Sequence, residues 1–278
     1  MRSSFVVRDV LKEISQTLHP FIPRATREAQ LLVMAFLDVD ELWLMSHQTQ
    51  EIQDIKKLFE WVKRRAKNEP LEYITNSVSF YSNKFYISKG ALIPRPETEL
   101  LIDEVKKQIE DKEKHLTFVE VGVGSGIISI MLALSFKNAK FIAVDISQDA
   151  LDIAEINIKK FALEDRIELR LGSLLEPIRE RVDYLVSNPP YIENGLDLES
   201  NLSYEPQNAL FGGKVGDEII KELLDEVLNR EINLFTCEMG YDQKDKISKY
   251  LKGKEYKALD FYKDYSDFDR GFTLKVEN

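Results

Sequence analysis

The 278 residues carry a net charge of −10, with 44% hydrophobic and 31% charged side chains; this is enough apolar material for a sizeable core, and no apolar run approaches the roughly 18 residues of a membrane span. A single cysteine, Cys237, excludes an internal disulfide, and its place in the apolar run Asn233-Leu234-Phe235-Thr236-Cys237 reads as a buried core thiol. The acidic balance argues against a large phosphate-binding surface, and His19, His47 and His115 stand too far apart, without Cys or His neighbours, to suggest a metal site.

The first residues, MRSSFVVRDVLKEIS, have charges within their apolar stretch and no small-residue cleavage site, so they do not read as a signal peptide and the expected location is the cytoplasm. Apolar residues at Val6, Val7, Val10, Leu11, Ile14 and Leu18 predict a helix that Pro20 and Pro23 end. A second helix begins near Thr26 and runs through Glu28 to Phe36. A third carries Ile52, Ile55, Phe59, Val62 and Ala66 on one face. Its other face holds Lys56, Lys57, Lys63, Arg64, Arg65 and Lys67, which reads first as a solvated surface and second as a place to dock a partner. Residues 1–75 therefore form a small helical domain. Val78–Ile87, two aromatic-rich runs around Ser82-Asn83, predicts a β-hairpin inside a linker spanning residues 76–90.

Residues 91–278 read as a second domain. Leu92-Ile93-Pro94-Arg95-Pro96-Glu97-Thr98-Glu99 leads into a helix carrying Leu100, Leu101, Val105 and Ile109. From His115 strands and helices alternate. Strands fall at Phe118–Val121, Lys140–Asp145, Ile167–Leu171, Val182–Ser187 and Asn233–Met239, and helices at Ile127–Phe136, Ala150–Phe161 and Asp217–Asn229. Repeated βα units predict an α/β fold with a doubly wound, mostly parallel sheet, and Tyr256–Tyr262 with Gly271–Val276 predict an antiparallel edge hairpin. Charge divides along the same line. Residues 1–70 hold 11 basic and 10 acidic side chains, the remainder 27 and 38.

Three stretches carry chemistry. Glu120-Val121-Gly122-Val123-Gly124-Ser125-Gly126 sits where a strand turns into a helix, so its glycines permit a sharp turn and a close approach to a ligand. Asp145 ends the next strand, where a carboxylate can accept hydrogen bonds from the two ribose hydroxyls of an adenosine-type cofactor. The strand Val182–Ser187 stops at Asn188-Pro189-Pro190-Tyr191, because two prolines lack the N–H groups a sheet ladder needs. The side-chain oxygen of Asn188 and the carbonyl of Pro189 can both accept from one planar NH2 group, an amide or an exocyclic amine. The Tyr191 ring can cover that group as positive charge builds on its nitrogen.

These residues resemble the class I S-adenosylmethionine-dependent methyltransferases with an (Asn/Asp)-Pro-Pro-(Tyr/Phe) motif. With Arg95-Pro96-Glu97-Thr98-Glu99, Glu205-Pro206-Gln207-Asn208-Ala209-Leu210 and Gly212-Gly213, in this order behind a helical domain that exits through Pro70, Tyr73 and Ile74, the chain is similar to the release-factor glutamine N5-methyltransferases, the PrmC/HemK family. The resemblance implies a Rossmann-like methyltransferase domain with S-adenosyl-L-methionine on Glu120, Gly122, Val123, Gly124, Ser125 and Gly126. It places the ribose at Asp145, the adenine near Ser173 and Leu174, and Asn188 between cofactor and substrate, with Ile146 also among the cofactor-binding residues. It further implies that Asn188 and Pro189 hold the glutamine of a Gly-Gly-Gln motif and that Pro190 and Tyr191 shape its slot; the charge split, which leaves the helical domain near neutral, suggests in addition that this domain docks the release factor. The protein would be monomeric, without direct nucleic-acid or membrane partners. The chain departs from the family pattern at Glu120 (usually Asp), Val123 (commonly Thr), Ser173 (usually Asp) and Lys214-Val215-Gly216-Asp217 (usually an Asp-Gly pair). An adenine-N6 methyltransferase of nucleic acids would use the same four residues on an exocyclic amine, but would want a basic channel that the acidic second half lacks. A non-catalytic relative serving as a binding module is a third possibility, opposed by the intact set Gly122, Asp145 and Asn188.

Overall fold

The computed structural model describes residues 4–198 and 200–276. They divide into two compact units, the first comprising the residues through Ser77 with a short segment ending at Tyr204, the second the remainder. The first unit is helical: β1 (Phe5–Val6), α1 (Val7–Leu18), α2 (Ala25–Leu37), α3 (Glu41–Ser46), β2 (Glu51–Ile52), α4 (Lys56–Arg65) and α5 (Leu71–Thr75). Val7, Val10, Ile14 and Leu18 form one stripe of α1 and bury against Leu32 and Val33 of α2 and Leu58 and Val62 of α4.

The third expected helix starts later than its apolar spacing suggests. Ile52 instead pairs with Phe5 across β1 and β2, and Asp54, at φ +50°, breaks the backbone before α4. Both Ile52 and Ile55 are still buried, so burial alone continued the stripe across a break. Three of the six basic side chains on α4 and its C-terminal flank make ion pairs within the unit: Lys63 pairs with Glu60 one turn away at 2.8 Å, Arg64 forks onto Glu69 with two 2.8 Å hydrogen bonds, and Arg65 reaches Glu28 of α2 at 2.9 Å.

The second unit opens with the hairpin β3 (Val78–Phe80) and β4 (Asn83–Phe85). Its turn is Tyr81-Ser82, both at positive φ, rather than Ser82-Asn83. Asn83 is the first residue of β4 and donates from Nδ2 to the Tyr81 carbonyl at 2.9 Å. There follow α6 (Thr98–Gln108), β5 (Thr117–Val121), α7 (Ile127–Ser135), β6 (Lys140–Asp145), α8 (Gln148–Lys160), β7 (Ile167–Leu171), β8 (Tyr184–Ser187), the short parallel pair β9 (Ile192–Glu193) and β10 (Phe211–Gly213), α9 (Glu218–Asn229), β11 (Leu234–Glu238), α10 (Lys244–Leu251), β12 (Ala258–Lys263) and β13 (Asp269–Lys275).

Seven strands form one sheet in the order β12-β13-β11-β8-β5-β6-β7, in which β13 alone runs against the direction of the other six. One face buries Val119, Val144, Leu185 and Phe235 against Leu223 and Val227 of α9. On the other, Phe118 stacks on Phe141 and Tyr184 with ring centroids 4.8 and 5.3 Å apart. The chain leaves β5 toward β6 and β7, then returns to place β8 on the opposite side of β5. That reversal is a topological switch point, where open α/β sheets form a crevice at the carboxyl ends of their strands.

Candidate active site

Val121 of β5 and Ser187 of β8 are register partners, so the glycine turn and Asn188 both leave the sheet at the same level of the switch point. Gly122 and Val123 donate to the Val144 carbonyl at 2.9 and 3.1 Å, which folds the turn back over β6. Gly126 caps α7 at φ +82°, with its α-hydrogen side facing Ala154 of α8. A Cβ there would stand 3.3 Å from that of Ala154 in a backbone conformation L-residues rarely adopt. Asp145 closes β6 with one carboxylate oxygen accepting from Gly124 N–H and the other from Ser147 N–H, each at 3.0 Å. Burial raises its pKa, and these backbone donors oppose the shift.

The opposite wall is Asn188-Pro189-Pro190. Asn188 Nδ2 donates to Thr98 Oγ1 at 3.2 Å, at the start of α6. Tyr191 turns its hydroxyl inward to Glu238 Oε1 at 3.3 Å. Behind this segment, Gln243 Nε2 donates to the carbonyls of Tyr191 and Gly216, and Gly212 lies so close that a Cβ would fall 2.3 Å from the Pro190 carbonyl oxygen. A second clasp joins distant stretches: Glu205 accepts from Ile93 N–H at 2.9 Å and from Arg95 Nη2 at 2.5 Å. It thereby ties the Arg95–Glu99 stretch to the Glu205–Leu210 stretch.

Together these walls line an open cleft that runs from the glycine turn and Asp145 to Asn188 and Pro189. Its floor contains an acid. Glu120 is 1% exposed; its Oε2 accepts from Ser129 N–H and Oγ–H, while Oε1 has no hydrogen-bond partner among the described residues. Burial pushes its pKa from 4.5 to about 8. The folded protein therefore keeps a proton that the unfolded chain releases, and stability falls as pH rises from about 4.5 to about 8. Glu120→Gln has nothing to titrate there, so its Tm advantage over wild type is expected to grow from pH 5 to pH 8.5; parallel Tm curves across that range would refute this.

Residues 9–75 match the model of the PrmC N-terminal domain, and residues 95–205 that of the methyltransferase small domain. A release factor glutamine methyltransferase of Dictyoglomus turgidum is 37% identical over 267 residues, covering 94% of this chain and 91% of the relative. One from Clostridium acetobutylicum is 32% identical over 271 residues, covering 94% and 93%. The chain belongs to the release factor glutamine methyltransferase family. Its fold is also that of the human METTL16 catalytic domain, solved in complex with a MAT2A 3′UTR hairpin, with a TM-score of 0.59 over 83% of this chain and 86% of that one at 12% identity. The protein is thus a methyltransferase with a Rossmann-like catalytic unit, and no helix among its described residues is long and apolar enough to cross a membrane.

For this family member, the sequence-derived residues fall into two groups. Glu120, Gly122, Val123, Gly124, Ser125 and Asp145 line the cleft, and so do Ile146, Leu174, Asn188, Pro189 and Pro190. Three others do not. Gly126 is used by the α7 cap, Tyr191 is turned toward Glu238, and Ser173 lies between the lining residues Gly172 and Leu174 with its carbonyl accepting from Glu176 N–H. Leu174 is held at φ +48°, which directs the strand-to-turn transition after β7. Sequence reasoning missed Thr98 and Glu238. Thr98 was in view inside the Arg95–Glu99 stretch; Glu238 closes a strand at the sheet's carboxyl edge, and that position was the available signal.

Proposed function

We propose that this enzyme transfers a methyl group from S-adenosyl-L-methionine to the side-chain amide nitrogen, N5, of the glutamine in the Gly-Gly-Gln motif of class I peptide chain release factors. Membership of the family supports the release-factor substrate. The observation that carries the chemistry is the placement of Asn188 and Pro189 directly across the switch point from the glycine turn. One wall offers backbone and carboxylate groups suited to a nucleoside; the other offers two acceptors suited to a planar NH2.

The chain's residues fit the cofactor: Asp145 can accept from ribose hydroxyls, Ile146 and Leu174 offer apolar walls for a base, and Glu120, whose proton a nearby cation would displace, can then accept from a cationic amine through its unpartnered Oε1. Bound there, S-adenosyl-L-methionine supplies an electrophilic methyl on a sulfonium that is already a good leaving group. The protein's task is then alignment. Asn188 Oδ1 and the Pro189 carbonyl hold both amide hydrogens of the glutamine, which draws its nitrogen lone pair out of conjugation. Orientation of this kind is worth about 7–11 kcal/mol, and no strong base is required. The transfer would leave S-adenosyl-L-homocysteine and N5-methylglutamine, and the amide proton that the methyl group replaces would be lost to water.

Mass spectrometry of a release factor incubated with the enzyme and cofactor tests this reading. The expected result is a mass increase of one CH2 on the Gly-Gly-Gln peptide, localised to the glutamine side chain. Methylation of DNA, RNA or another protein in its place would overturn it.

A further inference from the structure

Four side chains form a continuous hydrogen-bonded line beneath the substrate wall. Asn188 Nδ2 donates to Thr98 Oγ1 at 3.2 Å, Thr98 Oγ1 donates to Glu238 Oε2 at 2.8 Å, and the Tyr191 hydroxyl donates to Glu238 Oε1 at 3.3 Å. Thr98 and Glu238 are 2% and 1% exposed, so water does not compete for these bonds. The line comes from three parts of the second unit: the start of α6, the end of β11, and the segment after β8.

The direction of each bond follows from the donors available. A hydroxyl has one proton. While Thr98 gives that proton to the Glu238 carboxylate, Oγ1 can only accept from Asn188, so the Asn188 amide must point its NH2 at Thr98. Its oxygen is then the group left for the cleft. An amide turned the other way would set NH2 against the NH2 of a bound glutamine, donor against donor. We propose that Thr98 and Glu238 are positioning residues, which fix the Asn188 amide with its oxygen available to the substrate, and that the charge on Glu238 sets the direction of the whole line. The proposal rests on the reading of Asn188 as the acceptor for the substrate amide.

Glu238 is placed so that this charge can change. It faces Thr98 and Glu97 from α6, Tyr191 from the segment after β8, Arg270 from β13 and Tyr262 from β12, with Cys237 adjacent on its own strand. Burial outweighs the help of Thr98 and Arg270 and lifts its pKa to about 7, whereas Tyr262 and Cys237 are pushed upward and stay neutral there. Protonated Glu238 can donate to Thr98, whose own proton then turns to Asn188 and reverses the amide. Activity should therefore rise with pH through about 7.

The test uses the full chain with a release factor as substrate. Thr98→Val is expected to lose roughly 10²-fold in kcat/KM, the scale for removing one oriented polar group at a reacting centre, with cofactor Kd near wild type and a Tm lowered by the loss of the hydrogen bond to buried Glu238; Thr98→Ser keeps the hydroxyl and should restore most of both the rate and the Tm. Glu238→Gln can still accept from Thr98 through its amide oxygen but does not titrate, so the rise through pH 7 should flatten. Wild-type kcat/KM in Thr98→Val, or an unchanged pH profile in Glu238→Gln, would overturn the proposal. Failure of wild type to methylate the release factor would instead sink the functional reading. The positioning role then remains testable by NMR hydrogen exchange, in which the Asn188 side-chain NH2 should be protected in wild type and exposed in Thr98→Val; equal protection would refute it.

Discussion

Asn188→Ala is expected to reduce kcat/KM for release-factor methylation by about 10²–10³-fold, the range for losing one preorganised polar contact to the reacting group. Cofactor affinity should fall far less, because the groups suited to the nucleoside, Asp145 and the glycine turn, are built on β5 and β6 and held by backbone bonds that do not involve Asn188. The substitution also leaves Thr98 without its donor, but the hydroxyl still gives its proton to Glu238, so no buried charge is stranded. Steady-state kinetics alongside equilibrium cofactor binding separates the two effects. A loss in cofactor Kd as large as the loss in kcat/KM would show that Asn188 serves cofactor binding rather than substrate alignment.

Gly212→Ala should be damaging although Gly212 lies outside the cleft's own walls. Its Cβ would lie 2.3 Å from the Pro190 carbonyl oxygen and 2.6 Å from that of Gly216, and both obstacles are backbone. Relief requires moving either β10 or the Asn188–Tyr191 segment. Overpacking typically costs about 1–3 kcal/mol, and each kcal/mol lowers Tm by roughly 2–4 °C in a unit of this size. If the displaced element is the Pro190 side, kcat/KM falls with Tm. Calorimetry and kinetics on the same preparation check both, and an alanine variant with wild-type Tm and rate would mean that the contact relaxes without cost.

The sheet was legible because βα units write their periodicity plainly. The strands at Lys140–Asp145 and Ile167–Leu171 have the expected bounds: β6 holds a buried apolar run between β5 and β7, and β7, at the sheet's edge, alternates apolar Ile167, Leu169 and Leu171 with Glu168 and Arg170. Short or half-polar elements were not. α3 and α5 span six and five residues, too few for a helical stripe to repeat, and α10 buries only Ile247 and Leu251 among its charged neighbours. β9 and β10 pair over two or three residues in parallel, a contact set by the glycines against Pro190 and Tyr191 rather than by strand-forming side chains.

The cleft shows the same division. Gly122, Asp145 and Asn188 could be found because each stands at the carboxyl end of a readable strand. Tyr191 could be found, but the partner of its hydroxyl could not: the structure turns that hydroxyl inward to Glu238. The cause lies 47 residues further along the chain, beyond the reach of local pattern. Thr98 and Glu238 were likewise invisible as a pair, since the hydrogen bond between them spans 140 residues.

That long-range construction has a kinetic consequence. The cleft draws on the start of α6, the ends of β5, β6 and β8, and the stretch after Glu205, and β8 can join β5 only after the chain has looped out through β6 and β7. Closing such loops is slow compared with forming local contacts. A chain in which β8 has not yet joined β5 therefore lacks the Asn188 wall, and the complete cleft arrives only when the middle of the sheet closes.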